Sequence, residues 1–439
     1  MSRIHAPYTG VRFMMRPNGR AFKDERVTIM AFGLTKKELS WVLYDVGNSA
    51  FVMLSTALIP VYFASIADPG SSVVVAWGYA ETVASLVLAL LMPVLGSLAD
   101  LAGNKKKFLV GFAGTGAVAC AALGIPEHAL AFLVVYVIAA IMLNGSMVFY
   151  DAFLVDATTE ERYDKVSSHG YAWGYIGSCV PFIACLAVVL GGSSFGIDAK
   201  LGMKIAFIIT AAWWVVFTVP VAKNVKQLHG KKRSDHVLRT TISGLKGTVK
   251  SIVKDKRLLF FMLAFFFYID GVHTVIKMST SYGTDLGIDS TQLVLALLVT
   301  QFVAFPSAIA YGNLAKRFGT KRMLKVGVLA YFFIVLFAAF FLKSAVEFWI
   351  LAICVGLFQG GIQALSRSEY GKLIPKERAN EYYGFFDIFG KYAAVMGTFL
   401  VSAFTQLTGS SSLGVLSIAL LFIVGFLFLR AMPPMLGDS

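Results

Sequence analysis

Apolar residues in this chain gather into long runs separated by short polar connections. A helix that crosses hydrocarbon needs about 20 mostly apolar residues. On that measure the sequence predicts twelve spans. The first six run roughly from Leu39 to Ile66, Val73 to Ala99, Phe108 to Leu123, Ala129 to Val155, Ser167 to Leu190 and Leu201 to Val221. A polar stretch dense in Lys and Arg, Ala222 to Lys256, interrupts the pattern. The second six run from Arg257 to Tyr282, Thr291 to Leu314, Met323 to Leu342, Ala345 to Leu373, Glu381 to Leu407 and Leu413 to Leu429. The expected organisation is a basic tail over 1–38, a six-helix bundle over 39–221, a basic linker over 222–256, a second six-helix bundle over 257–432 and a short tail over 433–439. The fold class is therefore all-α and polytopic, with two related bundles.

Composition strengthens the membrane reading. The chain of 439 residues is 57% hydrophobic and only 15% charged, against about 45–50% and about 25% in soluble domains. Its net charge of +14 does not point to nucleic acid, because the basic residues cluster in alternate connections, the positive-inside pattern of membrane proteins. An even number of spans places both termini and the linker on one side, expected to be the cytoplasm. The four cysteines, Cys120, Cys179, Cys185 and Cys354, lie within apolar runs without metal-type spacing and read as small packing residues. Residues 1–29 are polar and basic, with no signal-peptide core; Met30 is an alternative start. Asn144-Gly145-Ser146 is a sequon by letters only, since it falls inside a span.

The two halves repeat. "GSLADLAGNKK" opens at Gly96 and "GNLAKRFGTKR" at Gly312. The offset that carries one to the other also carries "EER", ending at Arg162, onto "KER", ending at Arg378. Parallel six-helix repeats of this kind place a transporter's site between the halves. A slightly larger offset aligns "YDVGNSAF" in span 1 with "YIDGVHTVIK" in span 7: Asp45 falls on Asp270, Asn48 on His273 and Ser49 on Thr274. In each helix these positions share one face.

Ionisable residues deep in hydrocarbon cost about 2.5–3.5 kcal/mol each on insertion scales, so each needs a partner or a wet cavity. The candidates for substrate contact are Asp45, Asn48, Glu81, Asp270, His273, Gln359, Gln363, Asp387 and Lys391. Asp387 and Lys391, four apart, can equally neutralise each other on one face. Glu81 can pair with a basic group. The repeat offset also relates Asp151 to Arg367 and Asp156 to Lys372, opposite charges that could meet at the mouth between bundles; the alternative is four solvated helix ends. Asp100 is the remaining gate candidate. It closes a helix whose C-terminus disfavours an anion by about 0.3–1 kcal/mol, so Lys105 to Lys107 or a neighbouring helix N-terminus must offset it. At the equivalent position in the second half, Lys316 obeys the dipole rule. "GYAWGYIG" sets Gly170, Gly174 and Gly177 on one side of span 5, a close-packing face. The sequence contains no P-loop, metal cluster or catalytic triad, so neither an enzyme nor an ATPase is expected, and no cofactor or metal.

"GSLADLAGNKKK" resembles the signature between helices 2 and 3 of the major facilitator superfamily. "WVLYDVGNSAF", "YIDGVHT", "GLFQGGIQALSRSEYGKLIP" and "EYYGFFDIFGKY" resemble its vacuolar-effluxer-like branch, a bacterial member of which is expected here. The resemblance implies a twelve-helix fold that alternates between inward and outward states, a gate role for Asp100, often against the start of helix 11, and a link to amino-acid export in the yeast relatives. Lys316 replaces the acid in the second half, so no gate role carries over there. The expected function is secondary active transport of a small polar or zwitterionic solute, an amino acid among the candidates, coupled to protons because His titrates near physiological pH. A lipid or drug exporter of the same fold is the closest rival, and a non-transporting receptor or scaffold a more distant one. Expected partners are a small-molecule substrate, the lipid bilayer and protons, without nucleic acid; the protein is expected to be a monomer in the bacterial inner membrane.

Overall fold

The computed structural model describes residues 31–67, 73–231 and 237–434; the N-terminal tail expected over 1–38 thus lies mostly outside the described residues. Twelve rods form two bundles of six. The first bundle comprises α1 (Lys36–Ala57) with α2 (Ile59–Ile66), α3 (Val73–Ala99), α4 (Lys105–Ala122), α5 (Ala129–Ala152) with the short α6 (Leu154–Ala157), α7 (Tyr163–Gly191) and α8 (Ala199–Asn224). The linker carries α9 (Val237–Lys254). The second bundle comprises α10 (Lys256–Asp285), α11 (Ser290–Phe318), α12 (Thr320–Phe341), α13 (Ala345–Leu373), α14 (Ala379–Thr408) and α15 (Ser411–Ser417) with α16 (Ala419–Ala431).

Local sequence sets these boundaries. Thr35 and Glu38 form a reciprocal capping box at the start of α1, with N···O distances of 2.7 and 3.2 Å. Asp198 caps α8 through the Leu201 amide at 2.7 Å. Span 1, expected to run unbroken to Ile66, is interrupted at Leu58 because Pro60 sits in the first turn of α2 and cannot donate to the preceding turn. The fourth span likewise turns at Phe153 into α6. Prolines within α3, α7, α8 and α11 (Pro93, Pro181, Pro220 and Pro306) supply kink points that membrane helices tolerate.

Among the described residues nine helices are long and apolar enough to cross a membrane. The other three rods are the broken first one, α4, which opens on Lys105 to Lys107, and α14, which bears Glu381, Asp387 and Lys391. Leu90, Val118, Leu130 and Leu407 are strongly exposed, as lipid-facing positions must be. Aromatic residues fill the interior: Trp41 stacks on Tyr150 with ring centroids 4.3 Å apart, and Phe265 on Phe386 at 4.0 Å. The linker, both described chain ends and the start of α7 all lie at one end of the molecule, called the linker end below. The bundles meet chiefly where α7 packs on α11 and α13, and where α3 packs on α14.

Candidate functional site

The linker end holds a guanidinium with almost no access to solvent. Arg367, in the last two turns of α13, is 1% exposed. It reaches from the second bundle into the first. Its Nη1 donates to Asp151 Oδ1 on α5 at 2.9 Å and approaches Asp45 Oδ2 on α1 at 3.4 Å. Its Nε donates to Ser167 Oγ at 2.9 Å and its Nη2 to the Ser167 carbonyl at 3.0 Å. The Ser167 hydroxyl in turn donates to the Ala364 carbonyl at 2.7 Å, and Tyr150 donates to Asp45 Oδ2 at 2.7 Å. The guanidinium carbon lies 4.3 Å from the Tyr171 ring centroid and 4.7 Å from that of Trp41, a desolvated cation–π setting. Burying a charge is tolerated only when its partners are good and complete, and here three helices of the first bundle, α1, α5 and α7, supply them. Gly170 makes the approach possible, since a Cβ there would stand 2.8 Å from Arg367 Nη2 and 2.7 Å from Asp45 Oδ2. Asp151 keeps some exposure, 18% of its side chain, so the second negative charge sits on the wetter carboxylate.

Two seams flank this centre. In the first, Asp100 follows the end of α3 and crosses to the start of α14. Oδ1 accepts from the Asn380 amide at 2.9 Å and from Asn380 Nδ2 at 2.8 Å, and Oδ2 accepts from the Glu381 amide at 3.1 Å. The carboxylate thus satisfies orphan amides at a helix N-terminus and meets its positive dipole end. Of the two compensations expected from the sequence, the neighbouring helix start supplies the hydrogen bonds, with Lys105 and Lys231 adding charge nearby. Burial pushes the Asp100 carboxyl up to about 6, against the opposing pull of Lys105, Lys231 and Asn380. In the second seam, the end of α11 meets the start of α7. Here the acid belongs to the helix start: Asp164 accepts from Lys372 Nζ at 2.7 and 2.9 Å, from Thr320 Oγ1 at 2.8 Å and from Ser368 Oγ at 2.5 Å. Lys316 is exposed.

The linker folds back over the first seam. Lys231 pairs with the loop after α3, its amide donating to the Asp100 carbonyl at 2.7 Å and its carbonyl accepting from Ala102 at 3.1 Å. Gln227 Oε1 accepts from the Gly103 amide at 2.9 Å and the Lys105 amide at 3.2 Å. Lys231 Nζ then reaches Glu381 in the first turn of α14 at 2.6 Å. Thr248 on α9 also donates to Glu381 and accepts from Arg378.

The expected sites are thereby sorted. Asp151 and Arg367 do meet across the bundles. Asp156 and Lys372 do not, which corrects that expectation. Asp156 turns back on its own bundle from α6, bonded to Lys105 at 2.6 Å and to the Leu228 and His229 amides at 2.8 and 2.9 Å. Lys372 is left to Asp164, because α7 and not α6 is the element packed along α13. Asp45 belongs to the Arg367 cluster, and Asn48 beside it donates to the Tyr44 carbonyl at 3.0 Å. Gln363 donates to Tyr175 of the other bundle at 3.2 Å, while Gln359 is buried one turn away. Glu81 is exposed and accepts the Tyr136 hydroxyl instead of a basic group. Asp387 is half-buried and acts electrostatically on Asp151 and Tyr171, which places it by the same centre; the Lys391 side chain lies outside the described residues. Asp270 has no exposed surface. It packs inside the second bundle, where Oδ1 accepts from the Gly397 amide at 2.9 Å and from Thr274 Oγ1 at 3.3 Å; His273 is half-buried. Sequence reasoning missed Asp164, Ser167, Tyr150, Tyr171 and the linker residues Gln227 and Lys231. Asp164 had a signal, since the repeat offset carries it onto Asn380, the residue that meets Asp100.

Two six-helix bundles joined at one end by a buried, charged seam define a transporter of the major facilitator type, a fold built for alternating access. The chain belongs to the family described as "Vacuole effluxer Atg22 like", which it matches over residues 70–156 and 155–435. It is 46% identical over 408 residues to the uncharacterized MFS-type transporter YxiO of Bacillus subtilis strain 168, covering 91% of this chain and 95% of that one. It is also 26% identical over 283 residues to autophagy-related protein 22 of Cryptococcus neoformans var. neoformans serotype D, covering 59% of this chain and 48% of that protein; it thus spans about half the length of this fungal relative. Among solved structures it resembles the transporter FucP in the outward conformation, with a TM-score of 0.71 at 14% identity over 91% of this chain and 99% of that one. This last likeness concerns the fold alone.

Proposed function

We propose that this protein is a proton-coupled secondary active transporter that moves a small polar or zwitterionic solute, an amino acid foremost, across the bacterial cytoplasmic membrane. Both termini and the linker face the cytoplasm in this reading, in keeping with the concentration of Lys and Arg there. The observation that carries it is the Arg367 centre. Among the described residues, the hydrogen bonds and ion pairs that join the two bundles, including Arg367 to Asp45 and Asp151, Asp100 to Asn380, and Asp164 to Lys372, fall in the linker halves of their helices. The molecule is thus closed on the cytoplasmic side and held there by groups that must separate for the other state to form. Asp100, Asp151 and Arg367 act as the gate, with Lys372 joining through Asp164.

Proton coupling rests on Asp270. Its donors are a neutral amide and a neutral hydroxyl, and its Oδ2 has no hydrogen-bond partner among the described residues. An ionised carboxylate so enclosed is costly, whereas the neutral acid is not. Asp270 is the proton carrier in this reading. Asp45, its counterpart in the first bundle, has Arg367 instead, so the two related acids divide the work between gate and proton. The word effluxer in the family description favours export. Amino acids screened by thermal shift on the purified protein would identify the ligand, since bound solute stabilises the fold. Flux of that ligand into proteoliposomes then tests the coupling: Asp270→Asn should abolish its dependence on a pH gradient, and an unchanged dependence would overturn the proton role.

A further inference from the structure

The helix α9 offers a surface that the transport cycle described above does not use. Its buried side, Thr248 and Ile252 with half-buried Leu245, faces the protein, and the helix packs on α3 and α10. Turning around the helix from that side, the next positions are Val249 and Val253, four apart and 47% and 58% exposed. Beyond them lie Lys246, Lys250 and Lys254, three exposed lysines at four-residue spacing. Protein-facing, apolar and cationic strips thus follow one another around the cylinder. A single residue, Asp255, separates α9 from α10, whose first turn it caps through the Arg257 and Leu258 amides at 2.9 and 3.1 Å. Since α10 enters the hydrocarbon from this end, the last turns of α9 lie at the level where hydrocarbon gives way to headgroups.

We propose that α9 docks on the anionic lipid headgroups of the leaflet at the linker end, with Val249 and Val253 in the acyl boundary and the three lysines among the phosphates. The argument is charge complementarity at a fixed depth. Exposed valines are unfavourable in water and favourable at the interface, and lysine stems beside them reach up to anionic headgroups. No acidic residue lies between Val237 and Lys254 to oppose that attraction. The attachment has a consequence for the gate, because Thr248 on the protein-facing side of α9 bonds Glu381 and Arg378 at the start of α14. A lipid-held α9 steadies the helix start that Asp100 caps. This inference takes from the proposed function only that this end lies at a membrane face.

The test uses the full chain in nanodiscs of phosphatidylcholine, with or without phosphatidylglycerol. The wild type is compared with the triple variant Lys246→Gln, Lys250→Gln, Lys254→Gln, all surface changes. The readout is hydrogen–deuterium exchange of the α9 amides. Phosphatidylglycerol should slow it in the wild type by about fivefold for each lysine engaged, high salt should reverse the slowing, and the triple variant should lack it. Free inorganic phosphate should not substitute for the lipid. Equal slowing in wild type and variant, no slowing in either, or the same slowing with inorganic phosphate would overturn the proposal. Both faces of a nanodisc carry the same lipid and no flux is measured, so the outcome is independent of topology, substrate and proton coupling.

Discussion

The two seams at the linker end are related by the internal repeat, yet they solve one problem with opposite chemistry. At both, a glycine lets a helix start approach a helix end: a Cβ on Gly96 would stand 2.6 Å from the Asn380 carbonyl oxygen, and one on Gly312 would stand 2.6 Å from Ser168 Oγ. At the first seam the acid is on the loop, as Asp100, and it caps backbone amides. At the second the equivalent position is Lys316, in the last turn of α11, and the acid has moved to the helix start as Asp164, where it takes the Lys372 ammonium and two hydroxyls. A duplicated architecture thus conserves the close approach and not the polar partner. The first seam is held by a dipole and directed hydrogen bonds, the second by an ion pair with both side chains partly exposed, 12% for Lys372 and 15% for Asp164.

The largest effect is expected where the seams converge. Arg367→Met should leave Asp45 and Asp151 facing each other without a cation and should destabilise the closed form by about 3–5 kcal/mol. Electron–electron distance measurements between spin labels at the linker ends of α3 and α14 would then report a shift to longer separations. An unchanged distance distribution would remove Arg367 from the gate.

The next test separates the seams. Asp100→Ala and Asp164→Ala should each weaken the closure by about 1–3 kcal/mol. Their rescue should differ. Adding Lys372→Met to Asp164→Ala should recover part of the loss, because it removes a half-buried cation whose remaining carboxylate, Glu369, is more distant, at 3.8 Å. Adding Asn380→Ala to Asp100→Ala should recover less, since two of the three groups stranded there are backbone amides that no side-chain deletion removes. Equal rescue at both seams, in thermal unfolding of double-mutant cycles, would erase the contrast.

A pH dependence follows at the first seam alone from Asp100. Its carboxyl is pushed up to about 6 in the closed form, against 3.8 for an ordinary aspartate. The closed form therefore binds the proton more tightly than a form that releases Asp100 to water. Acidification from pH 7 to pH 5 should favour closure by roughly 1 kcal/mol through this group, and Asp100→Asn should remove that part of the response in the same distance measurement. The smallest effect is expected from Lys316→Asp, which restores the acid of the first signature to the second seam. With Asp164 already in place and position 316 exposed, the change in stability should stay within about 0.5 kcal/mol.

Much of this molecule was legible in the sequence. Run lengths located twelve rods, the offset between "GSLADLAGNKK" and "GNLAKRFGTKR" divided them into two bundles, and the misplaced charge of Asp100 announced that another element must meet it. The meeting of Asp151 with Arg367 was readable for the same reason, because repeat-related helices face one another across the axis. Asp156 and Lys372 obey the same offset and still do not meet. Asp156 sits beyond the turn at Phe153, which rotates it toward Lys105, and hydropathy carries no trace of that turn. Asp270 was offered as a substrate contact from its charge alone, and the sequence could not say that it faces Gly397 inside its own bundle, with no exposed surface.

The chain itself thus determined where its long apolar helices lie, which end is basic and which of those helices carry ionisable residues, because these depend on local composition and length. The tertiary structure alone decided which acid found which base and which helix start each one capped. Those choices depend on helix rotation, kinks and the fold-back of the linker, where a few ångströms separate a satisfied buried charge from a stranded one.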